Sequence, residues 1–451
     1  MLHSLCLSLL LCTVPAPADT TVALVDVTVI PMDRERSLPH STVLVQGGRI
    51  VMVGPAREIT VPAGAVRVDG RGKFLIPGLA EMHAHIPGGQ ASDSEVQQTL
   101  FLYLAGGITT IRGMLGHPRH LQLRAQAARP EVLSPSIYTS GPSFNGNTVP
   151  TAQSAVTRVA EQKEAGYDFI KIHPGIKREV FDSLSAAAQR AGLRLAGHVP
   201  LEVGLQRALE ARYASIDHLD GYVEAMVRAD SPVSPSESQL FGLNLGEHLD
   251  ESRIPSLVRA TKEAGVWNVP TQTLMENLAS GVSAKDLARR PEMRFVPTAT
   301  LFEWATAKAS ILSETGSSAE SARRTLEVRR KLIRALHAGG AGLVLGSDAP
   351  QIYNVPGFSI HRELEAMVAA GLTPYQALET GTRNVAQFFG TLDETGTIEA
   401  GKRADLVLLE GNPLSDIRNT SRRAGVMIHG RWLSRDAIET RLAAIAKSVR
   451  S

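Results

Sequence analysis

Between roughly residues 75 and 395, short apolar runs alternate with amphipathic stretches, and this rhythm constrains the fold more than any other feature of the chain. Eight runs are candidate strands: GLAEMHA, GITTIRG, SIYTSG, DFIKIH, RLAGHV, ASIDHL, VWNVPTQ and GLVLGSDAP. The stretches between them, such as TAQSAVTRVAEQKEAG and REVFDSLSAAAQRAG, carry apolar residues at helical spacing and end in glycine. About eight β/α units in succession predict an α/β fold, a parallel (β/α)8 TIM-like barrel over 75–395. A doubly wound open sheet is the structural rival, but it normally carries a Gly-rich phosphate loop after its first strand, and none follows GLAEMHA. Two connections, 223–252 after the sixth run and 273–324 after the seventh, are long enough to act as lids or specificity loops.

The flanks have a different texture. Segments VALVDVTVI and STVLVQGGRIVMVG near one end, and ADLVLLEGNP and AGVMIHGRWL near the other, alternate Val, Ile or Leu with polar residues and turn at glycines. They predict a small β-sandwich assembled from 19–74 and 396–451, the second part closing with a helix. The first 18 residues read as a Sec-type signal peptide: an apolar run from Leu5 to Val14, then Ala16-Pro17-Ala18 before Asp19. Its n-region carries His3 but no Lys or Arg, and Leu11 stands where a lipoprotein has a small residue before Cys12. Export to the periplasm or medium is expected. Both cysteines, Cys6 and Cys12, fall in that segment, so any transition metal in the mature chain depends on nitrogen and oxygen donors. The net charge of +2 and an aromatic content of 5% argue against a nucleic-acid partner, and no run is long enough for a membrane span. A small molecule or dipeptide is the expected partner, with homo-oligomerisation left open.

Active sites of such barrels form at the C-terminal ends of the strands. His83 and His85 end the first run, His198 the fifth, His218 the sixth and Asp348 the eighth. Singly, a strand-end histidine is more often a hydrogen-bonded structural residue, and an Asp after Gly-Ser can cap a turn. All five, however, are sound metal ligands on one rim. In DFIKIH, strand alternation puts Phe169, Lys171 and His173 on one face and Ile170 and Ile172 on the other. The isoleucines suit a layer against helices, which turns Lys171 inward. An ammonium buried there needs a partner, with Asp348 or Asp168 as candidates, or else becomes neutral and open to carboxylation by CO2.

Together, HAH, the inward lysine, GHVP, DHL and GSDAP resemble the amidohydrolase superfamily, in its imidazolonepropionase-related branch that includes metal-dependent Xaa-Pro dipeptidases. GKFLIPGLAEMHAH and GTIEAGKRADLVLLEGNPL resemble that family's framing segments. The resemblance implies a hydrolase of carbon–nitrogen bonds holding two divalent ions, with zinc the expected metal. His83 and His85 would bind the more buried ion, His198 and His218 the other, and Lys171, N6-carboxylated, would bridge them. Asp348 would bind beside a bridging hydroxide and shuttle its proton, making it the catalytic residue. Tyr222, His173 and Arg112 are the candidates for contacting substrate. The substrate expected is a dipeptide such as Xaa-Pro, an N-acyl amino acid or a cyclic amide. Two alternatives stand beside this: a mononuclear deaminase of the same superfamily, and a non-catalytic barrel scaffold. The deaminases have Glu three residues past the strand-five His, where this chain has Leu201, with Glu202 one further on.

Overall fold

The computed structural model describes residues 20–450, so the signal-peptide segment and both cysteines lie outside the described residues. The strands near the N-terminus are β1 (Val22–Val29), β2 (Leu38–Gln46), β3 (Arg49–Pro55), β4 (Val66–Asp69) and β5 (Phe74–Pro77). The middle supplies β6 (Leu79–Ala84), β7 (Ile108–Gly113), β8 (Ser136–Thr139), β9 (Phe169–Ile172), β10 (Arg194–Gly197), β11 (Ser215–Asp217) and β12 (Trp267–Val269). The last three are β13 (Leu406–Leu409), β14 (Arg423–Ile428) and β15 (Arg431–Ser434).

Both ends of the chain meet in one mixed sheet, ordered β15-β14-β13-β5-β1-β2-β3, with β4 paired to β1. Its cluster of buried residues draws Val27, Val43 and Leu75 from one end and Leu406 and Met427 from the other. The middle forms two parallel sheets, β6-β7-β8 and β12-β11-β10-β9. Helices cross between successive strands and stop where glycine permits a left-handed turn: Gly166 (φ 84) ends helix Ala152–Ala165, and Gly192 (φ 64) ends Arg178–Ala191.

The eighth run departs from expectation. It forms no ladder strand, only isolated parallel bridges from Leu343 to Asn268 and from Ala349 to Ala84; another bridge joins Ser140 to Phe169. The run keeps backbone bonds to both neighbours, Val344 N–H to the Asn268 carbonyl (2.9 Å) and Met82 N–H to the Leu345 carbonyl (2.8 Å), while Glu81 on β6 accepts from the N–H groups of Ser347 (2.7 Å) and His83 (3.1 Å). Gly346 permits the approach, because a Cβ there would lie 2.9 Å from the nitrogen of His83. Alternation on β9 follows the sequence reading: Ile170 and Ile172 pack with Val180, Phe181 and Leu184 from the neighbouring helix, while Phe169 joins Met82, Ala196 and Val269 in a separate cluster.

Candidate metal centre

The strand ends bring His83, His85, Lys171, His198, His218 and Asp348 together. His85 Nε2 lies 2.7 Å from Asp348 Oδ1, and His83 Nε2 lies 3.8 Å from the same oxygen. One ligand atom from each of these three falls within 4.8 Å of the others. Lys171 is fully buried, with Nζ 3.3 Å from His83 Nε2. The imidazole of His218 sits 4.6 Å from that of His83 and 4.5 Å from that of His198, centroid to centroid. His218 Nδ1 lies 3.9 Å from Asp348 Oδ2.

Room for the lysine comes from Gly197, whose φ of 114 strains any side chain and whose Cβ would lie 2.8 Å from Lys171 Cδ and 2.7 Å from the carbonyl of Ile172. Left-handed backbone recurs at His218 (φ 62), Thr271 (φ 47) and Asp348 (φ 63), a concentration of strain of the kind that gathers at functional sites. Arg329, almost wholly buried, holds two of these turns, donating to the carbonyls of His218 and Pro270 (2.7 Å to the latter) and to Gln272 Oε1.

Electrostatics prepare these groups as ligands. Burial, reinforced by Lys171, keeps His83 far below the usual imidazole value, and burial with His198 and His83 does the same for His218. Burial also lowers Lys171, favouring the neutral amine. For Asp348, burial opposes ionisation, but His83, His85 and Lys171 outweigh it and hold the carboxyl below the ordinary carboxylate range. Imidazoles such as His83 and His218, which burial keeps neutral, beside an ionised carboxylate are donors that a divalent transition metal takes. Carboxylates lie beside the rings: Asp220 Oδ2 is hydrogen-bonded to His198 Nδ1 at 2.7 Å and orients it, and Asp217 Oδ2 lies 2.8 Å from His83 Nδ1.

The three substrate-contact expectations divide. His173 stays beside the site, its ring 4.9 Å from that of His198, and burial with Lys171 brings its pKa down to about 3. Arg112 does not face a substrate: it is fully buried and donates to the Met82 carbonyl (2.7 Å), Ser215 Oγ (2.8 Å) and Asp217 Oδ1 (3.1 Å). Tyr222 is likewise fully buried, its hydroxyl paired with Thr261 Oγ1 at 2.7 Å, and it presents no group to the opening. Asp168, a candidate partner for Lys171, instead accepts from Arg124 and the N–H of Thr139, both at 2.8 Å.

Sequence reasoning passed over Glu81, Asp217, Asp220 and Arg329. Glu81 shares the His83 and His85 face of β6 by alternation, and Asp217 and Asp220 flank His218, so a carboxylate beside each ligand was a readable signal. For Arg329, on helix Ala319–Gly339, no local signal exists.

The sequence profile of the Amidohydrolase family matches residues 74–433. The chain belongs to this family. As an amidohydrolase it is a metal-dependent hydrolase acting on carbon–nitrogen bonds, with a TIM-barrel type fold. It is 25% identical to an imidazolonepropionase of Shewanella oneidensis over 85% of this chain and 91% of that protein. It is 22% identical to adenine deaminase 3 of Rhizobium meliloti over 82% of the chain, spanning about half (51%) of that deaminase. A solved Xaa-Pro dipeptidase with bound methionine in its active site shares the fold, with a TM-score of 0.67 at 18% identity, covering 92% of this chain and 100% of that one.

Proposed function

We propose that this amidohydrolase is binuclear and cleaves an amide bond in a dipeptide such as Xaa-Pro, an N-acyl amino acid or a cyclic amide. The observation that carries the reading is the convergence of four histidines, Lys171 and Asp348 on one buried spot. His83, His85 and Asp348 suit one ion and His198 and His218 a second, with Lys171 reaching between. These residues would hold two divalent ions, zinc foremost, whose chemistry would be an acidified water and a polarised scissile carbonyl. Asp348, held ionised, accepts the proton of the attacking water and returns it to the departing amine. Lys171, whose burial favours the neutral amine, would add its nitrogen to CO2 with loss of a proton, giving a carbamate with two oxygens for ligation. His173 is the remaining donor placed to meet a substrate carboxylate. In this reading the parallel sheets and bridged eighth run form one closed (β/α)8 barrel, the mixed sheet folds as a β-sandwich, and cleavage after residue 18 exports the protein.

Elemental analysis paired with a hydrolysis screen of Xaa-Pro and other dipeptides, N-acyl amino acids and cyclic amides tests this. Two ions per chain and a released amino acid are expected, with a 13C-carbamate signal that disappears in Lys171→Met. One ion per chain with ammonia release supports the deaminase reading instead, and no turnover by metal-loaded protein sinks the amide reading. Against the deaminase stands Leu201, exposed at 45% where that chemistry places a glutamate. Against a scaffold stands the complete ligand set.

A further inference from the structure

The metal centre opens beside His198 into a cavity of about 930 Å3, walled by the loop after β10 and by the 234–241 part of the first long insertion. Much of the wall is apolar. Val199, Leu201 and Val203 come from the loop, Leu240 and Phe241 from the insertion. Phe241 places its ring 5.3 Å from that of His218 and 6.5 Å from that of His198, so this wall is continuous with the ligand set. Leu201 and Leu240 are 45% and 44% exposed, two large apolar side chains left uncovered inside one recess.

The charged groups of the cavity already have partners. Arg207 and Arg178 both reach Asp182, at 2.7 and 3.2 Å. Asp220 holds His198 at 2.7 Å, Glu224 accepts from Ser238 Oγ at 2.6 Å, and Glu210 accepts from Gln206 at 3.1 Å. Pro174 also borders a second opening of about 610 Å3, lined mainly by polar groups, Ser143, Asn145, Asn147 and His173, with Leu115 as its one large apolar side chain.

We propose that the substrate is an amide with one bulky apolar limb, aliphatic or aromatic, seated against Leu201, Leu240 and Phe241 beside His198, and a polar limb facing His173. This rests on the amide-hydrolase reading and adds the chemistry of the limbs. A cavity of about 930 Å3 lies near the upper end of the size range typical of small-molecule sites, and a minimal dipeptide leaves most of it empty. An apolar limb that fills it removes Leu201 and Leu240 from water; a small or charged limb does not.

The test compares kcat/KM along two matched series on the metal-loaded protein: Gly-Pro, Leu-Pro and Phe-Pro, and N-acetylglycine against N-octanoylglycine. The apolar members are expected to exceed the small ones by about ten-fold or more, the scale that even one well-seated methylene reaches. Leu201→Asp and Leu240→Asp, at exposed positions, are expected to cut that ratio about ten-fold, mainly through KM, with the metal retained. A flat series, or a ratio unmoved by both variants, overturns the proposal. Absence of all turnover instead defeats the hydrolase reading, and titration calorimetry of the two N-acylglycines then decides the cavity. Tighter N-octanoylglycine binding that L240D abolishes supports the apolar seat, and equal binding refutes it.

Discussion

In the proposed mechanism Asp348 carries the most demanding role, since one carboxylate would both face the ions and carry a proton. Asp348→Asn keeps the shape but removes the base, so kcat is expected to fall by about 10^2- to 10^4-fold while bound metal declines far less. Turnover near wild type, measured beside elemental analysis, sinks the assignment. Gly197 acts through space alone. Gly197→Ala drives a methyl toward the Ile172 carbonyl (2.7 Å) and Lys171 Cδ (2.8 Å) from a left-handed φ. Overpacking of this sort costs about 1–3 kcal/mol, and urea denaturation of the variant is expected to show a loss in that range together with weaker metal binding. An unchanged urea midpoint contradicts the close fit. The candidate ligands at the residue scale were legible, because His-x-His and Asp after Gly-Ser at strand ends are local patterns. The true partners of Arg112 and Tyr222 were not. Their side chains reach residues 105 and 39 positions away, and no local pattern reports such contacts.

Among the elements, the helix Ser359–Ala369 joins the parallel β/α body to the mixed sheet through His361. This fully buried ring contacts Thr420 Oγ1 through Nδ1 at 3.0 Å, and its Nε2 lies 3.0 Å from both the Gly106 carbonyl and an Arg423 nitrogen. Burial, aided by Arg423, holds its pKa well below the ordinary 6.5. The unfolded chain therefore takes up a proton near pH 6.5 that the folded chain refuses, and stability from this residue, full above that pH, declines as the pH drops below it. Unfolding midpoints between pH 7.5 and 5 are expected to decline, and His361→Gln to flatten that decline. An equal slope in both proteins removes His361 from the account. Element boundaries were readable where capping residues and glycines mark them, as at Gly166 and Gly192. The eighth run keeps the expected place, bridged to β12 at Leu343 and to β6 at Ala349, but lacks a regular ladder, and Glu81 takes the Ser347 donor.

For the whole molecule, the two ends of the chain and the β/α body are mechanically linked. β13 pairs with β5 in register from Leu406–Pro77 to Leu409–Phe74, and β6, with the first two ligands, begins two residues after β5 ends. Metal bound by the folded state alone adds about 2.7 kcal/mol at a hundred-fold excess over its Kd. Chelation is accordingly expected to lower the thermal midpoint and re-addition of zinc to restore it, with an unchanged midpoint counting against a metal held by the native fold. Export predicts that protein recovered outside the cytoplasm starts at Asp19 on N-terminal sequencing, and an intact Met1 there refutes the signal reading. Periodicity and strand-end placement are properties of short segments, so the β/α alternation, the β-rich ends and six candidate ligands were readable in the sequence. Only the tertiary structure decided that those six converge and that Lys171 faces His83. It also decided that Glu81 interrupts the ladder and that Leu201 and Leu240 meet in one recess. Each of these depends on distances between segments far apart in the chain, and packing alone sets such distances.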